Sequence, residues 1–385
     1  MRSLPILCCS TLLLLSLLSL TSCQKDRHRG PNEAKYLTDE SKLEMVRSMK
    51  DLDGIGGFYE LNYTADYKLD ACINTYQVVT MNDIANFAVK ELYDVAPAKA
   101  SAMSYGSGCS AFAAKTPDGK CLMGRNFDFA HPEDIAAVLV RTAPKDGYKS
   151  ICIVDAYWIG YKRGFFNDGV TDISNIMTFP YVLMDGMNEK GLAVGVLHLD
   201  GEPTMQSTGK KKIATSTAMR YLLDTAKDVD EAIEKLGNFD MNATFDNAGN
   251  YHFFLADAEG NSAVVEYVYE GDGKNPNTYD PLKGERYVTN FYVSPKMAQH
   301  EYGGLSDHGR DRYDKIADSL KVHGNILTEA EAMATLNAAS QPKNPERLTS
   351  NTQWSVVYNL TDRTAKVCTL RDYKRTWEFA LEGSK

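Results

Sequence analysis

The spacing of apolar residues changes character three times along this chain. From Ile6 to Leu20 the residues are mainly apolar, behind an early Arg2 and ahead of small residues before Cys23. That is the pattern of a secretory signal, not of a folded element. From 34 to 104 apolar positions recur at three-to-four spacing, as in Leu43-Glu44-Met45-Val46 and Ile84 to Val89, which predicts a mainly helical segment. Between these two lies an aromatic-rich stretch, Tyr59 to Tyr67.

Beyond Gly108 the texture turns to short, β-branched runs separated by turn residues. Strands are predicted over Lys120–Phe129, Ala136–Arg141, Ser150–Asp155, Leu192–Leu199, Tyr251–Ala256, Ala263–Tyr269, Arg286–Phe291, Gln353–Asn359 and Ala365–Leu370. A helical period over Thr217–Leu236 sets Leu222, Leu223, Ala226, Val229, Ala232 and Ile233 along one face. Asp311–Leu320 and Thr328–Leu336 predict two more helices, the second opened by a capping box, Thr328 with Glu331. Strand-rich ends around central helices predict an α+β fold in which two packed sheets carry helices outside.

The leader changes where this fold is expected to work. Leu20-Thr21-Ser22-Cys23 fits a bacterial lipobox, in which Cys23 is acylated and becomes the first residue. Acyl chains hold a protein at a membrane without spanning it, and no later apolar run approaches the roughly 18 residues a spanning helix needs. The expected organisation is a signal over 1–22, a tether over 23–33, a pro-segment over 34–108 and a catalytic domain over 109–385. No acidic run follows Cys23, so a lipid anchor on the periplasmic face of the cell envelope is expected.

Composition adds two constraints. Across 385 residues a hydrophobic content of 43% supplies a sizeable core, and a net charge of −9 argues against nucleic acid as a partner. Cys8 and Cys9 leave with the signal and Cys23 is lipidated, so Cys72, Cys109, Cys121, Cys152 and Cys368 remain. Five is odd: up to two disulfides could form, and one thiol stays free.

The strongest chemical signal is Gly108-Cys109-Ser110-Ala111-Phe112 followed by Gly124-Arg125-Asn126-Phe127-Asp128. A thiol nucleophile needs a cation to favour the thiolate and a base to take its proton. Arg125, sixteen residues on, can supply the cation. If the bond before Cys109 is cut, its freed α-amine, with an intrinsic pKa of about 8, can supply the base, and Asp128 can hold that amine. The flexible Tyr105-Gly106-Ser107-Gly108 lead-in suits self-cleavage, with Gly108 able to adopt strained turn geometry. No HExxH, CxxC or phosphate loop occurs and the seven histidines lack metal-ligand spacing, so no metal or cofactor is expected.

These motifs, with Met187-Asn188-Glu189-Lys190-Gly191-Leu192, Val288-Thr289-Asn290 and Gln353-Trp354-Ser355 in the same order, resemble the choloylglycine hydrolase and penicillin V acylase family of N-terminal-nucleophile hydrolases. The segment before Cys109 is similar to the arrangement of acid ceramidase and N-acylethanolamine acid amidase, in which a cleaved helical pro-part stays bound. The resemblance implies a four-layer αββα sandwich. It implies Cys109 as nucleophile and general base, Arg125 beside it, Asp128 on the α-amine and Asn290 facing the oxyanion. Arg312 fits the last family arginine, with Arg310 leaving that register open. His198 falls at the second oxyanion position, where bile salt hydrolases have asparagine and penicillin V acylases often have tyrosine; its backbone N–H could serve there.

The implied reaction is hydrolysis of a linear non-peptide amide, the partner being a small-molecule N-acyl amide such as a conjugated bile acid, a fatty acid amide or penicillin V. The same residues would serve an N-acyltransferase. The non-enzymatic alternative is a lipid-anchored binding protein on a dead scaffold. A homo-oligomer is left open.

Overall fold

In the computed structural model, residues 31–96, 107–131, 136–242, 250–270, 277–346 and 348–381 are described. The signal, Cys23, most of the tether and Tyr105-Gly106 lie outside them.

The hairpin that carries Cys109 organises the molecule. Strands β3 (Ser107–Lys115) and β4 (Cys121–Phe129) pair antiparallel, with Cys109 opposite Phe127 and Gly108 opposite Asp128. The turn between them needs a left-handed residue, supplied by Gly119 at φ +86°. Side chains alternate across a strand. Cys109, Ala111 and Ala113 therefore enter the main core, whereas Phe112 and Ala114 enter a second core shared with Ile316, Leu320 and Leu336.

This hairpin sits in a six-stranded sheet of order β14 (Tyr287–Val288), β3, β4, β15 (Asn351–Asn359), β16 (Thr364–Thr369) and β17 (Trp377–Ala380). A nine-stranded sheet faces it. Its order is β1 (Lys50–Asp51), β2 (Phe58–Tyr63), β5 (Ala137–Thr142), β6 (Ser150–Asp155), β7 (Leu183–Asn188), β8 (Ala193–Leu199), β11 (Asn250–Ala256), β12 (Ser262–Val268) and β13 (Thr278–Lys283). Strands β9 (Lys211–Ala214) and β10 (Phe239–Asn242) form a separate parallel pair.

The two sheets meet where β3 approaches β8. Helix α3 (Thr215–Thr225) packs on β7 and β8. On the opposite outside, α5 (Arg310–Val322) packs on β3 and β14, and α6 (Glu329–Ala339) on β4 and β15. The order is helix, sheet, sheet, helix: an α+β, four-layer sandwich. The inter-sheet layer is apolar and aromatic, with Trp354 buried and stacked on Phe127 at 4.2 Å between ring centres. Burying a side chain of this size contributes about 1.5–3 kcal/mol.

Most of the predicted strands form, and so does the Thr328–Glu331 capping box. Three features differ. The period over Thr217–Leu236 belongs to two helices, α3 and α4 (Val229–Gly237), because Asp228 caps the second by accepting from the Glu231 N–H at 2.9 Å. Around Tyr287 only two residues pair, since the chain leaves the sheet to deliver Asn290. In the N-terminal segment, α1 (Glu40–Arg47), α2 (Met81–Phe87) and helical turns at 71–76 and 88–92 form as expected. The aromatic stretch between them is strand β2, parallel to β5 and burying Phe58, Tyr59, Leu61 and Tyr63. The five described cysteines are all free thiols, so neither of the two conceivable bridges exists among them.

Candidate active site

Two buried side chains, Asn290 and Arg312, hold the main chain of Cys109, and Asp128 and His198 in turn contact them. The Cys109 N–H donates to Asn290 Oδ1 at 2.7 Å. Its carbonyl accepts from Arg312 Nη1. Arg312 Nη2 also donates to Asn290 Oδ1, at 2.7 Å, while Nη1 lies 3.4 Å from Asp128 Oδ2. With two donors on its oxygen, Asn290 turns its NH2 away, and one of those hydrogens goes to the His198 carbonyl at 2.7 Å.

Asp128 stands opposite Gly108 in the ladder and is fully buried. Thr352 Oγ1 donates to its Oδ1 at 2.6 Å and Gln341 Nε2 to its Oδ2 at 2.8 Å. Burial lifts its carboxyl above the ordinary value, against the pull of Arg312, Thr352 and Gln341. A new ammonium group beside it would act in the same direction as Arg312.

Arg125 takes the other face of β4. It pairs with Ala111, two positions along from Cys109 on the same side of the sheet, and crosses the inter-sheet layer. Nη1 donates to the Asn126 carbonyl at 2.7 Å and Nη2 to that of Val196. Nε lies 3.8 Å from Asp185 Oδ2. Asp185 is itself held by Trp354 Nε1 at 2.9 Å and the Tyr358 hydroxyl. Burial raises the Asp185 carboxyl and Arg125 opposes this. Thus strand alternation puts Arg125 between the sheets and Asp128 toward α5, with the Cys109 backbone between.

Of the residues singled out from the sequence, Cys109, Asp128, Asn290 and Arg312 come into direct contact, and His198 joins through its carbonyl. Arg125 is near them along the strand. Arg310 does not reach the site: its guanidinium lies over the Phe291 ring at 4.0 Å and donates to the Gly304 carbonyl. Gly108 is explained differently from the expectation. It is not left-handed but an extended strand residue, and a Cβ on it would stand 2.8 Å from Gln341 Nε2 and 3.1 Å from Ser350 Oγ. Its glycine makes room for the clamp on Asp128.

The sequence reading missed Asp185, Gln341 and Thr352. Only Thr352 had a signal, its place directly before the Gln353-Trp354-Ser355 motif. A cavity of about 1140 Å³ lies elsewhere, bounded by Tyr63–Ala71, Ala143–Gly147 and Asp224, and none of the site residues lines it. Convergence of buried polar groups, not concavity, marks the site.

Comparison with known proteins finds one family model and similar proteins. Residues 109–272 match the model of the linear amide C-N hydrolases, choloylglycine hydrolase family. A penicillin V acylase of Pectobacterium atrosepticum is 35% identical over 99 residues, 23% of this chain and 26% of that protein. The aligned stretch thus spans about a quarter of that relative. Among solved structures, a mutant conjugated bile acid hydrolase from Clostridium perfringens is similar with a TM-score of 0.49 and 17% identity, over 71% of this chain and 92% of that one. The penicillin V acylase of Agrobacterium tumefaciens is similar with a TM-score of 0.47 and 19% identity, over 68% and 83%.

Proposed function

We propose that this chain, which matches the linear amide C-N hydrolases of the choloylglycine hydrolase family over residues 109–272, cleaves itself before Cys109 and then hydrolyses N-acyl amides. The observation that carries the proposal is that Asn290 and Arg312 grip the backbone of Cys109, its N–H and its carbonyl. A mechanism that used only the thiol would have no need to hold that nitrogen. One in which the nitrogen becomes the base does.

In the maturation step the Cys109 thiol adds to the Gly108 carbonyl carbon, the C–N bond breaks and the nitrogen takes the proton. Water then cleaves the resulting thioester, leaving a carboxylate on Gly108 and an α-amine on Cys109. In turnover the α-amine takes the thiol proton as Sγ attacks the substrate carbonyl. The Asn290 NH2 and the His198 backbone N–H would receive the oxyanion. The α-amine returns the proton to the departing amine, and water releases the acyl group from sulfur. Asp128 would hold the α-amine, and Arg125 would supply positive charge across the inter-sheet layer.

The proposed substrates are conjugated bile acids, fatty acid amides and penicillin V-like amides, reached from a lipid anchor at Cys23 on the periplasmic side. The cut segment would stay bound, since β2 is hydrogen-bonded along β5 and Tyr63 donates to the Met177 carbonyl at 2.9 Å. The test is a panel of glycine and taurine bile conjugates, N-acylethanolamines and penicillin V, run on this protein and on Cys109→Ser. Turnover confined to the parent supports the reading. A competing amine that captured the acyl group would show transfer instead, and an inert, uncut chain would point to binding.

A further inference from the structure

The sequence spaces its histidines without any metal pattern, yet folding brings two of them to one carboxylate. His198 lies near the end of β8, Asp200 follows it on the same side, and His308 arrives from the turn before α5, 108 residues beyond Asp200. The three donor atoms lie within 4.8 Å of one another. Asp200 spans the two rings: Oδ2 is 2.9 Å from His308 Nδ1 and Oδ1 is 3.9 Å from His198 Nδ1. The first distance is a hydrogen bond; the second is beyond one. A cation bound at about 2.0–2.2 Å from each ligand would bridge both gaps with side-chain movements of about an ångström.

We propose that His198, Asp200 and His308 form a binding site for a divalent transition-metal ion of the zinc type. Two imidazoles and one carboxylate select such an ion over magnesium or calcium, which take oxygen ligands. Three protein ligands leave a coordination position open to water or to a bound ligand. His198 is buried and its ring meets Tyr251 edge-on, while His308 and Asp200 are part-exposed, so the ion enters from solvent.

The site is tied to both grips on Cys109. The His198 carbonyl takes the Asn290 amide. His308 precedes Gly309, whose left-handed backbone caps α5, and Arg312 lies in the first turn of that helix. A bound ion would fasten the end of β8 to the turn that launches Arg312. It would act as a stabiliser of that arrangement, with no step of the amide chemistry assigned to it.

The experiment uses the full chain carrying Cys109→Ser, which removes the site thiol as a competing ligand. Zinc is titrated by calorimetry, and cobalt is followed by its visible absorption. The expected result is one saturable ion per chain, no competition from magnesium, cobalt bands without a thiolate charge-transfer band, and a higher melting temperature with zinc. His308→Ala and Asp200→Asn, each checked by its metal-free melting curve, should each weaken binding on the order of 100-fold or more, since even loss of an outer-shell partner costs 10–100-fold. Two variants guard against one failing to fold. Affinity unchanged in the folded variants, a thiolate band, or no saturable binding to the parent would overturn the proposal.

Discussion

Asn290 Oδ1 accepts the main-chain N–H of Cys109 at 2.7 Å, and the same oxygen accepts Arg312 Nη2 at 2.7 Å. One amide therefore orients the nitrogen that maturation would liberate, and its NH2, which donates to the His198 carbonyl, is the proposed oxyanion donor. Asn290→Ala should lower kcat on the order of 100 to 1,000-fold, the usual effect of losing one oxyanion donor. Single-turnover kinetics on material already cleaved before Cys109 would separate this loss from a failure to mature; a kcat within threefold of the parent would contradict it.

Gly108→Ala should mature slowly while folding normally. Its methyl would displace the end of a flexible side chain, Gln341, which the fold tolerates, but Asp128 would lose a charge-assisted hydrogen bond. Such a bond is worth about 1.5–3 kcal/mol, which corresponds to about a 10- to 100-fold slowing. A mass-spectrometric time course of cleavage, set beside the melting temperature, measures both halves of the expectation.

Asp185→Leu should destabilise by about 3–5 kcal/mol, because Arg125 would remain buried between the sheets without its carboxylate. Denaturant melts give the value directly. A loss below about 1 kcal/mol would mean that the carbonyls of Asn126 and Val196 satisfy Arg125 unaided.

Asp128 predicts a pH dependence with a definite sign. Its folded carboxyl holds its proton to a higher pH than the unfolded one, because burial outweighs its partners. The folded state therefore binds more protons, and this residue's contribution to stability falls as pH rises above about 4, the unfolded carboxyl's range. Asp128→Asn lacks the slope. The stability of the variant relative to the parent should rise with pH above about 4 and then level off past the folded value. Asp185 and Asp224 are raised by burial too, but are common to both proteins and cancel. Melting curves of the uncleaved chains across this range check it, and a difference that fell with pH would be contrary.

Much of this was legible in the residue pattern because it is local. Short apolar runs bounded by turn residues marked β4, β6 and β15, and the Cys109–Arg125–Asp128 spacing lies within one hairpin. What escaped was set by tertiary packing. The aromatic stretch at Tyr59 lies between helical segments in the sequence, and only its pairing with β5 shows that Tyr59, Leu61 and Tyr63 line one buried face while Asn62 is exposed on the other. The clamp on Asp128 comes from Gln341 and Thr352, more than 200 residues away in sequence. The His198–Asp200–His308 group has no spacing signal, since its third member arrives on another element. Conversely, Gly108 was visible as a glycine, but only its neighbours show that space, not backbone freedom, requires it.

The central claim is that the gripped nitrogen of Cys109 becomes the catalytic base. N-terminal sequencing of purified protein that hydrolyses an N-acyl amide tests it most directly. A chain beginning at Cys109 alongside a shorter one ending at Gly108 is the predicted result. Full activity from protein whose 108–109 peptide bond is intact would contradict it.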